Sequence, residues 1–355
     1  MRFIGNKTNL VAWIYAEIQQ QNIEGKRFFD VFAGTTSVGR FFKTKGFQVV
    51  SSDVLYFSYV LQKAYLENNE APQFKQLLPT IKVQTNQFFL SKLEIVIAYL
   101  NQLEGKEGFI YDNYTPQGTK DLAQPRMYFI NENGKKIDAI RQQIEEWKQN
   151  NLLLENEYFI LLAVLIESVP FYANILGVYA AFKKNWDARA IKPLQLKPFQ
   201  ILESQQTHFA FNQNSLSLLD KFEYDIIYLD PPYNQRQYAP NYHLLETIAK
   251  YDNPIIKGVS GMRNYAHQKS NFCNKDKAIV ALEKILASKN YKYLMLSYNS
   301  EGIMPQEAIM QLMNKYGTVN LVEYDYLRFK SNNKGKAKYK KYIKEQLYVL
   351  KKTSF

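Results

Sequence analysis

Short apolar runs alternate with helical periodicities in the first sixty residues of the chain. Residues 27–39 predict a strand, a small-residue turn and the start of a helix that Gly46 ends, and residues 47–52 predict a second strand. Such alternation is typical of an α/β fold. An earlier helix is predicted by apolar side chains at helical spacing, which are Leu10, Val11, Ile14, Tyr15 and Ile18.

The same alternation returns near residue 205. Residues 211–216 predict a strand end followed by a helix start, and residues 292–297, 319–324 and 346–350 predict three further strands. Pro305 opens a helix whose apolar positions are Ile309, Leu312 and Met313. We therefore predict that residues 1–63 and 205–355 form one α/β domain.

The pattern changes between residues 64 and 204. Asn- and Gln-rich patches and helical runs, such as residues 88–100 and 137–147, replace the alternation of strands and helices. This change predicts an inserted, mainly helical recognition region.

A buried strand that stops at Asp230 is the most informative feature of the chain. Residues 226–229 form the continuous apolar run expected of a central parallel strand. Pro231 and Pro232 then end it, because neither ring offers an N–H group to a sheet. The corner leaves main-chain carbonyls beside the Asp230 carboxylate and the Tyr233 ring. These groups can accept hydrogen bonds from an amino group and stack on a flat ring.

Such a pocket suits the exocyclic amine of adenine. That nitrogen is a poor nucleophile because its lone pair is delocalised into the ring, and two acceptors that hold its hydrogens draw it towards tetrahedral geometry. The Asp230 carboxylate and a proline carbonyl can do this without a covalent intermediate. The alternative is an Asp-Pro-Pro turn that merely ends a structural strand, with Tyr233 as a packing residue.

A second candidate site follows the strand predicted near residue 30. Gly34 lets the main chain approach a ligand closely, and Thr36 or Ser37 can cap a helix whose free N–H groups favour a carboxylate. Asp53 lies 19 residues after Gly34, the approximate spacing at which a second-strand acid meets ribose hydroxyls. An ordinary βαβ turn is the alternative.

The chain is strongly basic, with a net charge of +12, which favours a polyanionic partner. Residues 183–197 hold five basic residues and one acid, interleaved with aromatics, a combination suited to nucleic-acid backbone and bases. Residues 328–352 hold ten basic residues and one acid, and predict a phosphate-facing loop between two strands. In both stretches a solvated charged surface is the alternative. The candidate contacts to a polyanion are Tyr179, Lys183, Lys184, Arg189, Lys192, Arg236 and Lys338.

Cys273 is the single cysteine of the chain. It therefore excludes an internal disulfide and a cysteine-based metal cluster, and it lies outside any Pro-Cys turn of the kind that methylates a ring carbon of cytosine. The most apolar stretch, residues 158–166, is too short to span a bilayer, and residues 1–20 lack a signal-peptide pattern. We expect a soluble cytoplasmic protein.

The order of the motifs resembles that of the Dam-type (alpha-group) DNA adenine-N6 methyltransferases, and above all the FokI-type modification methyltransferases. The shared features are an N-terminal glycine turn, Asp-Val-Phe-Ala-Gly at 30–34, Asp53, a long insertion, and Asp-Pro-Pro-Tyr at 230–233. The resemblance implies a Rossmann-like S-adenosylmethionine-dependent methyltransferase fold. It also implies that the insertion at 64–204 is a mostly helical target-recognition region, and that residues 1–63 and 205–355 are catalytic.

The resemblance assigns roles to individual residues. A flipped adenine would be held by Asp230, Pro231, Pro232 and Tyr233. The methyl donor would be held by Gly5, Lys7, Asp30, Phe32, Gly34, Asp53 and Asn214. Family members often carry a second glycine where this chain has Thr36, and an acid where it has Asn214, whose amide carbonyl can still accept a hydrogen bond. We expect His243 to be a packing or capping residue rather than a general base.

The expected activity is methylation of adenine N6 in double-stranded DNA, by a monomer that needs no metal and that serves a restriction-modification system with a cognate endonuclease. Methylation of the cytosine amino group, of RNA or of a protein amide are alternatives within the same chemistry. A non-catalytic DNA-binding specificity subunit is an alternative from another class. The intact corner at 230–233 argues against it.

Overall fold

A computed structural model describes residues 5–83, 90–327 and 342–353. The helices are α1 (Val11–Gln20), α2 (Ser37–Thr44), α3 (Tyr56–Gln62), α4 (Lys92–Gln102), α5 (Phe109–Tyr114), α6 (Asn131–Gln149), α7 (Glu155–Tyr172), α8 (Tyr238–Lys250), α9 (Lys275–Leu286) and α10 (Gln306–Met313). The strands are β1 (Arg27–Asp30), β2 (Gln48–Ser52), β3 (Phe209–Phe211), β4 (Tyr224–Leu229), β5 (Ile256–Lys257), β6 (Met262–Arg263), β7 (Tyr291–Asn299), β8 (Gly317–Leu327) and β9 (Tyr342–Lys352).

Seven strands form one sheet in the order β3-β2-β1-β4-β7-β9-β8. The pairs from β3 to β7 are parallel, whereas β9 runs antiparallel to both β7 and β8. The strands β5 and β6 form a separate two-stranded hairpin. The predicted α/β fold is confirmed.

The strand β4 lies at the centre of a three-layer arrangement and is buried along its whole length. Ile226 and Tyr228 face the apolar cluster that contains α1 and α2, whereas Ile227 and Leu229 face the cluster that contains α9 and α10. A strand with apolar side chains on both faces can only be central, which agrees with the continuous run in the sequence.

A third apolar core lies in the helical part of the chain. It joins α4–α7 with α3 and α8, and α7 is buried along most of its length from residue 157 to 169. Because α3 and α8 lie outside residues 64–204 in the sequence, the helical packing unit includes two elements from the α/β part of the chain.

Two helix starts differ from the sequence pattern. The helix predicted over residues 88–100 begins at Lys92, because Ser91 and Glu94 form a capping box there, and residues 88–89 fall outside the described ranges. The helix α8 begins at Tyr238, inside the polar and aromatic residues 234–243, for which no helix was predicted from the sequence.

Within the described ranges, no helix combines the length and the apolarity that crossing a bilayer requires.

One buried carboxylate ties together the amino ends of β1 and β4. Asp225 Oδ2 accepts hydrogen bonds from the backbone N–H groups of Lys26 and Arg27, at 2.9 and 3.0 Å. Its Oδ1 lies 3.2 Å from the Arg27 guanidinium and 3.0 Å from Lys292 Nζ. Burial opposes the charge, but these donors outweigh it and hold the pKa of the Asp225 carboxyl well below its usual range.

We predict that Asp225→Asn lowers the free energy of unfolding at pH 7 by about 2–3 kcal/mol, because a buried charged acceptor of several donors is lost. The folded-state pKa is depressed, so this stability is present above the unfolded pKa of about 3.9 and is lost at lower pH. The difference between variant and parent in urea unfolding should therefore begin to shrink below about pH 4 and disappear only below the depressed folded-state pKa.

The matched control is Glu223→Gln. Glu223 pairs with the same arginine at 2.9 Å, but its side chain is 78% exposed, so the change should cost less than about 0.5 kcal/mol. Equal losses in the two variants would contradict a special role for Asp225.

Candidate active site

A cleft opens at the carboxyl ends of β1 and β4. In the sheet, β1 lies between β2 on one side and β4 on the other. The strands that follow β1 in the sequence therefore lie on both sides of it, and the strand order reverses at this point. Ligands of open α/β sheets bind at such a point. The cleft holds a cavity of about 170 Å³ that opens to solvent.

The turn after β1 is held against the turn after β2 by Asp53. Its Oδ2 accepts from Gly34 N–H at 2.9 Å, and its Oδ1 accepts from Leu55 N–H at 2.9 Å. Burial raises the pKa of Asp53 to about 6, although these hydrogen bonds act in the opposite direction. Gly34 has a positive φ of 50°, and both Gly34 and Asp53 line the cleft.

Thr36 adopts a left-handed backbone conformation just before α2, with φ of 62°. A β-branched residue is strained there. Its N–H donates to Ala33 O at 2.6 Å, its hydroxyl donates to Thr35 O at 2.6 Å, and the side chain is fully buried. These contacts fix a conformation that glycine would adopt without strain, which is the physical reason a glycine suits this position.

Asp30, the last residue of β1, lies beneath this turn. Its Oδ2 accepts from Gly39 N–H in α2 at 3.2 Å. Its Oδ1 is buried, with no hydrogen-bond partner among the described residues. Burial and the nearby Asp230 charge raise the pKa of Asp30 to about 7.

The remaining predicted donor residues surround the same cleft. Phe32 lies edge-on to Phe272, with ring centroids 5.4 Å apart. Asn214 Oδ1 accepts from Leu216 N–H at 3.1 Å and so caps a short 3₁₀ turn. Gly5 has φ of 79°, and an added Cβ would lie 3.0 Å from the Tyr238 hydroxyl oxygen. All three predicted residues line the cleft.

The predicted catalytic corner follows β4 directly. Asp230 is partly exposed to the cleft, whereas Pro231 and Pro232 are buried. Tyr233 is half-buried, and its carbonyl accepts from Ile303 N–H at 3.0 Å, which fixes the backbone after the two prolines. The corner therefore presents the Asp230 carboxylate beside the donor loops.

Lys7 lies between two acids. Its Nζ is 3.4 Å from Asp230 Oδ1 and 3.1 Å from Glu345 Oε2. Burial opposes the ammonium charge, but the two carboxylates outweigh it and raise the pKa of Lys7. Burial raises the pKa of Asp230 to about 6; Lys7 lowers this pKa and Glu345 raises it.

Sequence reasoning missed Glu345. It is the one acid among residues 328–352, so its presence in an otherwise basic stretch was the available signal. It also missed the wall formed by Gln237 and Ser270. These residues exchange two hydrogen bonds, from Ser270 N–H to Gln237 Oε1 at 2.8 Å and from Gln237 Nε2 to Ser270 O at 3.1 Å.

The predicted polyanion contacts divide by exposure. Lys184 and Lys192 are exposed, whereas Lys183 and Arg189 are half-buried and both pair with Asp187, at 3.2 and 3.3 Å. Arg236 is exposed beside the corner. Lys338 lies outside the described residues.

Tyr179 does not present a surface to a partner. Its side chain is 1% exposed, its N–H donates to Asn241 O at 2.7 Å, and its carbonyl accepts from Tyr128. The sequence pattern failed here because an aromatic next to basic residues looks the same whether it stacks outward or packs inward.

His243 also binds the Tyr179 carbonyl, through Nε2 at 2.9 Å. It packs against Tyr114 and Tyr128, and burial lowers its pKa to about 4. This placement agrees with the packing role predicted for it.

Comparisons with known proteins point to one family. A model of the D12 class N6 adenine-specific DNA methyltransferases matches residues 3–312. The chain is 40% identical over 342 residues to the type II methyltransferase M.FokI of Planomicrobium okeanokoites, covering 95% of this chain and 51% of that protein. It is 36% identical to the modification methylase StsI of Streptococcus sanguinis, covering 100% of this chain and 52% of StsI.

A third relative matches from end to end. The type II methyltransferase M.NlaIII of Neisseria lactamica is 37% identical over 99% of this chain and 100% of that protein. The chain thus spans about half the length of M.FokI and StsI, and the full length of M.NlaIII. The resemblance predicted from the motifs is confirmed, and the chain belongs to the D12 class N6 adenine-specific DNA methyltransferase family.

Proposed function

We propose that this protein methylates the N6 amino group of adenine in double-stranded DNA. The observation that carries the proposal is the position of Asp230, which follows β4 directly and lines the same cleft as Gly34 and Asp53. When bound, S-adenosylmethionine supplies an electrophilic methyl group on a sulfonium. The chain itself supplies position and hydrogen-bond acceptors.

In this proposal the corner holds the target amine. The Asp230 carboxylate and the Pro231 carbonyl accept its two hydrogens, and Tyr233 stacks on the extruded base. Extrusion from the duplex costs on the order of a few kcal/mol, and stacking can offset much of this. Asp230 must be ionised to act as an acceptor, so activity should fall as the pH drops through about 6.

The cleft fits a cationic donor. Asp30, Asp53 and Asp230 lie at one edge of the sheet, where Lys7 and Lys269 are the basic residues that line the cleft among the described residues. This surplus of acids favours a sulfonium. Asp30 Oδ1 is a buried acceptor that still needs a partner, and each Asp53 oxygen keeps a lone pair for ribose hydroxyls.

Methylation at a ring carbon is disfavoured by the state of Cys273. The thiol is buried, and burial raises its pKa to about 11, so it is neutral near pH 7 and a poor nucleophile. The amine chemistry of the corner is the better fit.

We assign DNA contact to the helical unit and its basic segment. Residues 64–204 form the target-recognition region, which packs against α3 and α8. Residues 1–63 and 205–355, including these two helices, form the catalytic part. The exposed residues Lys184, Lys192 and Arg236 are placed to meet phosphates or bases, and Lys183 and Arg189 become available if Asp187 releases them. The loop with Lys338 is a further proposed contact.

The relatives are named as type II or modification methylases. On that basis we propose that the protein protects sites that a cognate restriction endonuclease would cut. We further propose that it works as a monomer on DNA in the cytoplasm.

The first prediction concerns Asp230. Asp230→Ala should lower the single-turnover rate of methyl transfer by about 10²–10⁴-fold, because one of two acceptors for the amine is lost, while donor and DNA still bind. Asp230→Asn keeps a carbonyl oxygen and should cost roughly 1.5–3 kcal/mol, or about ten- to a hundred-and-fifty-fold.

Asp276→Ala, which removes an exposed acid from α9, is the matched control and should transfer at the parental rate. A fast Asp230→Ala variant would remove Asp230 from the mechanism.

The second prediction concerns Asp53. Asp53→Ala should weaken donor binding by about ten- to a hundredfold in calorimetry, because ribose acceptors and the clamp on Gly34 are both lost. DNA affinity should stay within about twofold of the parent. Equal loss of both ligands would indicate a purely structural residue.

The third prediction concerns charge at the recognition surface. If Lys184 and Lys192 contact phosphates, replacing each with alanine should reduce the slope of log K against log[salt] for DNA binding by about 0.9. Lys284→Ala, an exposed lysine of α9, should leave the slope unchanged. Unchanged slopes for Lys184→Ala and Lys192→Ala would assign both residues to solvent.

A further inference from the structure

We propose that Glu345 is a positioning residue of the active site, which acts through Lys7 to orient the Asp230 carboxylate and tune its charge. This inference rests on the proposed function, because it concerns how the acceptor for the target amine is held.

The geometry is a chain of three charged groups. Lys7 Nζ lies 3.1 Å from Glu345 Oε2 and 3.4 Å from Asp230 Oδ1. The side chains of Lys7 and Glu345 are 6% and 9% exposed, whereas that of Asp230 is 20% exposed. Lys7 and Glu345 are therefore screened from water, whereas the Asp230 carboxylate opens to the cleft.

The sheet fixes the position of Glu345. It lies on β9, paired in register with Asn299 of β7 and with Tyr324 of β8. A residue between two hydrogen-bonded strands has little freedom to move. Lys7, by contrast, precedes α1 and reaches the site with a long flexible side chain, so it needs a fixed partner to hold its ammonium beside Asp230.

The triad changes what Asp230 can do. An ammonium held at Oδ1 leaves Oδ2 to accept from the amine, and it limits rotation of the carboxylate. A lysine that faced Asp230 alone would neutralise it more completely and make it a weaker acceptor. By sharing the ammonium, Glu345 leaves Asp230 more negative, and its charge raises the Asp230 pKa.

Other titratable groups near Asp230 come from several elements. Besides Lys7 and Glu345, the groups that interact with the Asp230 charge are Asp30, Tyr228, Tyr233 and Tyr238. Glu345 differs from these because it contacts Lys7, the cation that pairs with Asp230 among the described residues.

The test is the pH profile of kcat/KM for DNA, which reports ionisation in the free enzyme. Glu345→Gln removes a negative neighbour, so the acidic limb should move to lower pH and the plateau should fall by about ten- to a hundredfold as the acceptor weakens and loosens. Lys7→Met removes the positive neighbour, so its acidic limb should move to higher pH. The opposite signs separate a charge role from a loss of stability.

Glu323→Gln is the matched control. Glu323 lies on the neighbouring β8 and pairs with Lys344 at 2.5 Å rather than with Lys7, so its profile should overlay that of the parent. Donor affinity of Glu345→Gln, measured by calorimetry, should stay within about twofold. An acidic limb of Glu345→Gln that coincides with the parental limb would overturn the proposal, even if the melting temperature falls.

If Glu345→Gln does not fold, Glu345→Asp and Lys7→Met decide the matter. Glu345→Asp keeps the negative charge but has a shorter side chain, so its plateau kcat/KM should fall while the acidic limb shifts little. A parental kcat/KM in this variant would overturn the proposal. Absence of methyl transfer by the parent protein would instead contradict the proposed function, independently of Glu345.

Discussion

The parallel pairing of β1 with β4 is the constraint on which the site depends. The register places Asp30 opposite Tyr228, so the residues that follow each strand emerge at the same edge of the sheet. Because both strands are largely buried and β4 is apolar from residue 226 to 229, a slip by one residue would turn charged side chains into the core. Packing of the core therefore sets the distance between the proposed donor loop and the proposed catalytic corner.

The same edge concentrates acids in a place from which water is largely excluded. Burial raises the pKa of Asp30 to about 7 and of Asp53 and Asp230 to about 6, and Lys7 offsets only part of this cost. Such an arrangement is unfavourable without a cation. A protein that binds a sulfonium can tolerate these clustered acids, because binding of the cation stabilises the folded state.

Much of the sheet could be predicted, because the signals are local. The stops at Gly46 and Pro231 depend on neighbouring residues, and in the structure β2 begins two residues after Gly46 and β4 ends two residues before Pro231. The proposed donor loop and Asp230 could be placed beside their strands for the same reason, since motif and strand are contiguous in the chain. Burial of Tyr179 could not be predicted, because the inward or outward direction of an aromatic depends on helices far away in sequence.

Glu345 escaped prediction for a related reason. Its importance arises from a contact with Lys7 that depends on the strand order of the sheet, and no local sequence pattern specifies that order. The antiparallel strand β9 enters between β7 and β8, and this placement alone brings Glu345 to the carboxyl end of β4. A lone acid in a basic stretch is visible in the sequence, but its partner is not.

The ion pair between Lys7 and Glu345 also constrains the order in which the site can form. Its two residues are 338 positions apart, and β9 follows every other strand of the sheet. During synthesis, the donor loop and the Asp230 corner leave the ribosome long before their last charged neighbour. A nascent chain can therefore fold most of the cleft, but it cannot complete the corner until β9 has inserted.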